Sequence, residues 1–118
     1  MTRALLDKLS IRPEQVSFDE VMETITRHYH YTPTRFSNGK GDHRIDNAAG
    51  SNEGSCKIFA FARLHQLSEA QTLACFGQYY REGVLAHPEG TDHANIRTFM
   101  KEGWRGIHFD QNPLTSKV

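Results

Sequence analysis

The sequence contains no apolar run of about 18 residues, which is the length that a membrane-spanning helix requires, so we expect no membrane partner. Its first residues, MTRALLDKLS, also lack the long apolar centre and small-residue cleavage site of a secretory signal peptide. An excess of basic residues is absent too, because 14 Lys and Arg balance 14 Asp and Glu. Nucleic-acid-binding domains normally carry such an excess, so we expect no nucleic-acid partner.

Cysteine is scarce, since the chain contains two, Cys56 and Cys75, which form neither a CxxC motif nor a disulfide-rich pattern. We therefore predict two free thiols in a reducing cytoplasm. The seven histidines show neither an HExxH motif nor the spacing of a Cys/His zinc finger. We accordingly predict no metal site and no cofactor.

The length of 118 residues suits one domain, which we assign to residues 1–118. Helical periodicity prevails, and the predicted fold class is mainly α: a compact bundle of four or five helices. A short β-hairpin is allowed between the first two main helices, where Asn38 and Gly39 form a strong tight-turn pair.

Two capping boxes mark the starts of helices. Ser17 with Glu20 begins the first main helix, and Pro33 predicts that this helix ends near Tyr31. Ser68 with Gln71 begins another helix, which we expect to run to Gly83. A last helix is predicted to begin after Thr91 or Asp92 and to end at Gly103.

The second main helix is predicted to begin at Ser51 or Asn52 and to lie at the centre of the bundle. Apolar residues occupy two of its faces, a pattern typical of a helix that is packed on both sides. One face carries Cys56, Phe59, Ala60, Leu64 and Leu67, and the other carries Ile58, Phe61 and Ala62.

A family resemblance rests on three stretches of the chain: FDEVMETITRHYHYTPTRFSNG, GSCKIFAFARLHQLSEAQTLACFGQYYRE and LAHPEGTDHANIRTFMKEGW. Together they resemble the HopJ family of type III effector-like proteins, over roughly residues 17–112. The resemblance implies a small bacterial protein related to effectors that plant pathogens inject into host cells. It implies no established reaction and no agreed catalytic residues. We expect the bacterial cytoplasm as its location, because the helix-like N-terminus does not favour secretion into a host cell.

Cys56 is the candidate nucleophile of an enzymatic alternative. It falls near the start of the central helix, whose positive end stabilises a thiolate. With His43 or His93 as the base, it would make the protein a cysteine-dependent hydrolase or transferase. The competing interpretation is that Cys56 is a small buried hydrophobic residue, since it shares a face with Phe59.

The turn before the central helix is the candidate ligand site. Backbone amides at a helix start bind anions, and the predicted ligand-binding residues are Gly50, Asn52, Gly54, Ser55 and Lys57. Their spacing does not match the nucleotide-binding P-loop. We therefore favour a non-catalytic module that binds an unknown protein partner or a small anionic ligand. Of Tyr79 and Tyr80, at most one is expected to point fully inward, which leaves the other as a candidate anchor for a partner.

Overall fold

A computed structural model describes residues 2–117 of the chain. Within this range the chain forms six α-helices, five short strands and three 3-10 turns. The helices are α1 Thr2–Ile11, α2 Phe18–His28, α3 Glu53–Leu64, α4 Glu69–Ala74, α5 Gln78–Arg81 and α6 Ala94–Glu102. The strands are β1 Tyr29–Tyr31, β2 Phe36–Asn38, β3 Ile45–Asn47, β4 His108–Phe109 and β5 Leu114–Ser116. The 3-10 turns are Pro13–Gln15, Gly41–His43 and Gly103–Gly106.

The fold is mixed α/β, which corrects the predicted helical bundle of four or five helices. The hairpin between α2 and α3 is present, formed by the antiparallel pair β2 and β3. It is part of a three-stranded sheet of order β3-β2-β4, and a second sheet pairs β1 with β5. Periodicity did not reveal these additional strands because each is at most three residues long and pairs with a distant part of the chain.

Both predicted capping boxes are confirmed. The Ser17 hydroxyl accepts a hydrogen bond from the Glu20 amide at 3.1 Å, and the Glu20 carboxylate accepts one from the Ser17 amide at 2.8 Å. Ser68 and Gln71 make the same reciprocal pair. Helix α2 ends at His28 rather than near Tyr31, because the following three residues turn into β1 and pair with β5.

The helix predicted from Ser68 to Gly83 is broken at Gly77, which separates α4 from α5. Gly77 has a φ of +58°, and a Cβ added there would lie 2.5 Å from the backbone nitrogen of Phe18. The chain therefore bends where it meets the start of α2, at a position that only glycine accommodates. Helix α6 begins at Ala94 with His93 as its N-cap, rather than the predicted Thr91 or Asp92, and it ends at Glu102 with Gly103 as its C-cap, as expected.

Helix α3 contributes to the core on two faces, as the sequence predicted. Ile58, Phe59 and Phe61 are fully buried, and Cys56 is 1% exposed. Leu64, which was assigned to one of these faces, is instead 44% exposed at the end of the helix. The same core includes buried residues of α1, α2, α4 and α6.

Candidate functional site

A cleft of about 390 Å³ opens between the first turns of α3 and α6. Its floor and sides combine residues from these two helix starts with aromatic residues from α2 and from the α4–α5 segment. The lining residues are Phe18, Ile45, Asn52, Gly54, Ser55, Phe76, Tyr79, His93, Ala94, Asn95 and Ile96.

Both helices that meet in the cleft begin without a capping side chain. The N-cap of α3 is Asn52 and that of α6 is His93, and neither side chain accepts a hydrogen bond from its helix. Both residues have a left-handed backbone conformation, with φ of 51° and 53°. In this conformation the side chain does not fold back over the first turn, so the N–H groups there lack the usual partner. The positive ends of two helix dipoles therefore face one cleft.

A network of buried asparagines holds the two helix starts together. Asn95 donates to the side-chain oxygen of Asn47 at 2.9 Å, and Asn47 donates back to that of Asn95 at 3.2 Å. Asn38 donates to the main-chain and side-chain oxygens of Asn95. Asn52 donates to Asn47 at 2.7 Å. Strands β2 and β3 are thereby linked to the first residues of both helices, which fixes the geometry of the cleft.

This asparagine network was not predicted from the sequence. Asn38, Asn47 and Asn95 are at most 7% exposed, although asparagine is usually found at the surface. The available signal was their position at the ends of strands and at helix starts. Nothing local in the sequence shows that residues 38, 47 and 95 meet.

The mouth of the cleft is aromatic. Phe18 and Tyr79 pack edge to face with their ring centroids 4.9 Å apart, and Tyr79 is 41% exposed. The His93 ring lies 5.8 Å from that of Tyr79, and its Nε2 is 3.7 Å from an oxygen of Asp92. Gly54 brings α3 close to this wall, because a Cβ there would lie 3.0 Å from the Phe18 ring.

The predicted ligand-binding residues separate into two groups. Asn52, Gly54 and Ser55 line the cleft. Lys57 points elsewhere, with its ammonium 4.7 Å from the centroid of the Tyr31 ring. Gly50 lies in the exposed turn before the helix and does not line the cleft.

The three predicted catalytic residues do not form one group. Cys56 is buried and its thiol donates a weak hydrogen bond, 3.7 Å long, to the carbonyl of Thr34. His93 lines the cleft, whereas His43 is exposed in the 3-10 turn Gly41–His43. Within residues 2–117, neither histidine is hydrogen-bonded to the Cys56 thiol.

The environment of Cys56 favours the thiol over the thiolate. Burial raises the pKa of Cys56, and the Glu53 carboxylate raises it further, although Tyr31, Thr34 and Lys57 act in the opposite direction. Desolvation is the largest of these influences, so a thiolate is not favoured at this position. A nucleophile needs an accessible thiolate with a base nearby, so this geometry does not favour the enzymatic alternative.

Residues 2–117 contain no group of three or more His, Cys, Asp or Glu side chains positioned to hold a metal ion. None of the helices in the same range is long and apolar enough to cross a membrane.

Cys75 gives a testable pH dependence. Burial raises the pKa of its thiol to about 12, whereas the pKa of a thiol in an unfolded chain is about 8.5. The unfolded state loses this proton first, so the free energy of unfolding is expected to fall as pH rises above about 8.5. This group alone contributes a slope of up to about 1.4 kcal/mol per pH unit. Urea unfolding at several pH values between about 8 and 11 measures it.

The Cys75→Ala variant provides the comparison. Cys56 and Tyr31 also have pKa values raised by burial, so they add slopes of the same sign and remain in the variant. Their contribution cancels when the two proteins are compared, and the variant should lose stability less steeply above about pH 8.5. Equal slopes would show that Cys75 titrates normally in the folded protein.

Comparisons with known proteins agree with this fold. The family model described as HopJ type III effector protein matches residues 2–114, so the chain belongs to the HopJ type III effector family. A crystal structure of unknown function protein VPA0580 is similar, with a TM-score of 0.94 and 48% sequence identity. The match covers 99% of this chain and 94% of that one. No curated protein gives a significant match. The family predicted from the sequence is thus confirmed.

Proposed function

We propose that the protein is a non-catalytic binding module whose cleft takes a small ligand that carries an anionic group. The observation that supports this proposal most strongly is the convergence of two uncapped helix starts, at Asn52 and His93, on one cleft. Unpaired N–H groups and the positive ends of two helices favour a negative charge at this position.

The charges around the cleft support the same proposal. No Asp or Glu is among the described residues that line it. Glu53 is in the first turn of α3 but does not line the cleft. Asp92 accepts a hydrogen bond from Arg97 at 2.9 Å, and its other carboxylate oxygen lies 3.7 Å from Nε2 of His93. The ion pair with Arg97 offsets the negative charge of Asp92 beside the cleft.

The size and walls of the cleft indicate the rest of the ligand. A volume of about 390 Å³ is at the small end of the range for ligand pockets. The rings of Phe18, Phe76 and Tyr79 provide apolar walls, and Tyr79 is exposed enough to contact a ligand. We infer a compact molecule with a flat apolar part and one anionic end.

Two observations bear on where the protein acts: its family membership and its free thiols. Cys56 and Cys75 are both free and buried, which is compatible with a reducing compartment. We propose that the protein acts either in the bacterial cytoplasm or inside a host cell. Its membership of a type III effector family supports the second location.

Phenyl phosphate is a suitable probe for the cleft, with phenol as its uncharged counterpart. In a ¹⁵N-¹H NMR titration, phenyl phosphate is expected to shift the amide signals of Gly54, Ser55 and Asn95 with a Kd of about 1 mM. Phenol should bind at least about tenfold more weakly, because it has the ring but no charge to meet the helix ends. Equal effects of the two probes would contradict an anion site.

Ser55→Asp tests whether the binding depends on the charge of the cleft. A carboxylate in the first turn stabilises the helix itself while repelling a second anion, so the variant should fold and lose phenyl phosphate binding. Gln111→Glu makes the same change of charge at an exposed residue outside the cleft and should bind like the natural protein. Unaltered binding by Ser55→Asp would place the anion elsewhere.

A further inference from the structure

Arg63 lies near the end of α3, where its guanidinium group is held in one orientation. Its Cζ lies over two aromatic rings, 5.7 Å from the centroid of Trp104 and 5.4 Å from that of Phe109. One terminal nitrogen donates to the carbonyl of Ile107 at 2.9 Å. Contacts with ring faces and a carbonyl restrict a side chain that would otherwise have many rotamers.

The Trp104 ring is itself firmly anchored. Its indole nitrogen donates to the carbonyl of Leu67 at 3.3 Å. The ring also packs edge to face against Phe99, with centroids 5.2 Å apart, and Phe99 is 1% exposed. Arg63 therefore rests on a platform that is continuous with the core of the protein.

The charge of Arg63 has no acidic partner within residues 2–117. Arg35 and Arg44, by contrast, each form an ion pair with Asp46. Arg63 uses one of its five donors on a backbone carbonyl and has no carboxylate within ion-pair distance in the described chain. An ordered guanidinium with unused donors is suited to bind a carboxylate through two parallel hydrogen bonds.

Apolar surface lies directly beside this guanidinium. A recess of about 240 Å³ is lined by Ala62, Arg63, Gln66, Leu67 and Trp104. Leu64, the next residue along α3, is 44% exposed. The carboxylate of Glu69 accepts a hydrogen bond from the amide of Trp104 at 3.2 Å.

We propose that this surface, the Arg63 recess, binds a segment of a partner protein in which an acidic side chain stands next to an apolar one. The acidic group would pair with Arg63, and the apolar side chain would enter the recess beside Trp104. Arg and Trp are the residue types that most often dominate binding energy at protein interfaces. The Arg63 recess shares no residue with the anion-binding cleft, so the two proposals are independent.

Two matched peptides test the proposal: acetylated and amidated Gly-Leu-Glu-Leu-Gly, and the same peptide with Gln in place of Glu. The Glu peptide is expected to shift the Nε–H signal of Arg63 and the indole N–H signal of Trp104 in ¹⁵N-¹H spectra, with a Kd of about 1 mM. The Gln peptide should bind at least about tenfold more weakly, since it lacks the charge that strengthens the hydrogen bonds.

Substitutions at Arg63 and Arg105 test whether Arg63 is the residue that binds the Glu peptide. Arg63→Gln should abolish the shift of the Trp104 signal, and Arg63→Lys, which keeps the charge but loses the planar fork, should weaken binding severalfold. Arg105→Gln removes one positive charge from an exposed neighbour and should bind normally. Circular dichroism and thermal unfolding establish that each variant is folded.

Several results would overturn the proposal. They are the absence of any shift up to about 10 mM Glu peptide, equal binding of the Glu and Gln peptides, and full binding by folded Arg63→Gln. Inorganic phosphate is titrated in parallel. If it moved the Arg63 and Trp104 signals as strongly as the Glu peptide does, the surface would be assigned to phosphate-bearing ligands instead.

Discussion

Replacing Phe59 with alanine is expected to lower the free energy of unfolding by about 3–5 kcal/mol, the range observed when a buried aromatic ring is removed from a core. Phe59 is fully buried in the middle of α3. Its ring centroid lies between 5.0 and 6.4 Å from those of four other rings, which are Phe36, Phe76, Phe99 and Trp104. The substitution removes these contacts and leaves a cavity. The surrounding helices and strands would have to move inward to fill it.

Leu64→Ala is the matched control for this prediction. It truncates another large apolar side chain on the same helix, but one that is 44% exposed. The expected loss is below about 1 kcal/mol, because little buried area is removed and alanine is a better helix former. Urea unfolding of both variants measures the difference. Similar losses at the two positions would mean that α3 is not at the centre of the core.

Gly77→Ala is expected to have the second large effect. The φ of +58° already disfavours any residue with a Cβ. In addition, the new Cβ would lie 2.5 Å from the amide nitrogen of Phe18 and 3.1 Å from the carbonyl carbon of Ser17. These are backbone atoms at the start of α2, where the capping box holds them in place, so they have little freedom to move.

Gly41→Ala is the control for the close contact at Gly77. Gly41 also has a φ of +58°, but a Cβ there would meet nothing within 4 Å. Gly41→Ala should therefore cost only about 1–2 kcal/mol, as expected for a positive φ without a steric clash. Gly77→Ala should cost about 1–3 kcal/mol more, as is typical when a side chain is forced into a filled space. Equal losses of stability would refute the close approach of the α4–α5 bend to α2.

Local chemistry made part of this fold predictable. The reciprocal bonds of Ser17 with Glu20, and of Ser68 with Gln71, involve residues three positions apart, so the sequence alone contains the whole interaction. The burial of Ile58, Phe59 and Phe61 was predictable for a similar reason, because helical periodicity places them on defined faces. The hairpin was predicted from the pair Asn38-Gly39, but Asn38 is the last residue of β2 and residues 39–44 connect it to β3.

Long-range pairing accounts for what the sequence did not reveal. Strand β1 is formed because residues 114–116 pair with it, and the residues of β1 alone look like the end of a helix. The helix from Ser68 breaks at Gly77, where a positive φ and the lack of a Cβ let the chain pass close to the backbone of Phe18, a residue far away in the chain. Interactions of this kind depend on the complete fold and leave no periodic signal.

In the candidate site, too, local features were predictable and long-range contacts were not. Asn52, Gly54 and Ser55 were predicted because a helix start has local features, and they line the cleft. The convergence of a second helix start at His93 was not predictable, since it depends on the contacts of Asn95 with Asn38 and Asn47. Cys56 was predicted both as a candidate nucleophile and as a small buried hydrophobic residue, and its exposure of 1% agrees with the second interpretation.

The two sheets have a consequence for the order of events during synthesis. Strand β2 receives one of its partners from His108–Phe109, and β1 receives its partner from Leu114–Ser116. A nascent chain that ends before these residues contains the helices and the hairpin but lacks one strand of each sheet. The native structure is thus completed only after residues 108–116 have left the ribosome, and until then β1 and β2 each have an unpaired edge.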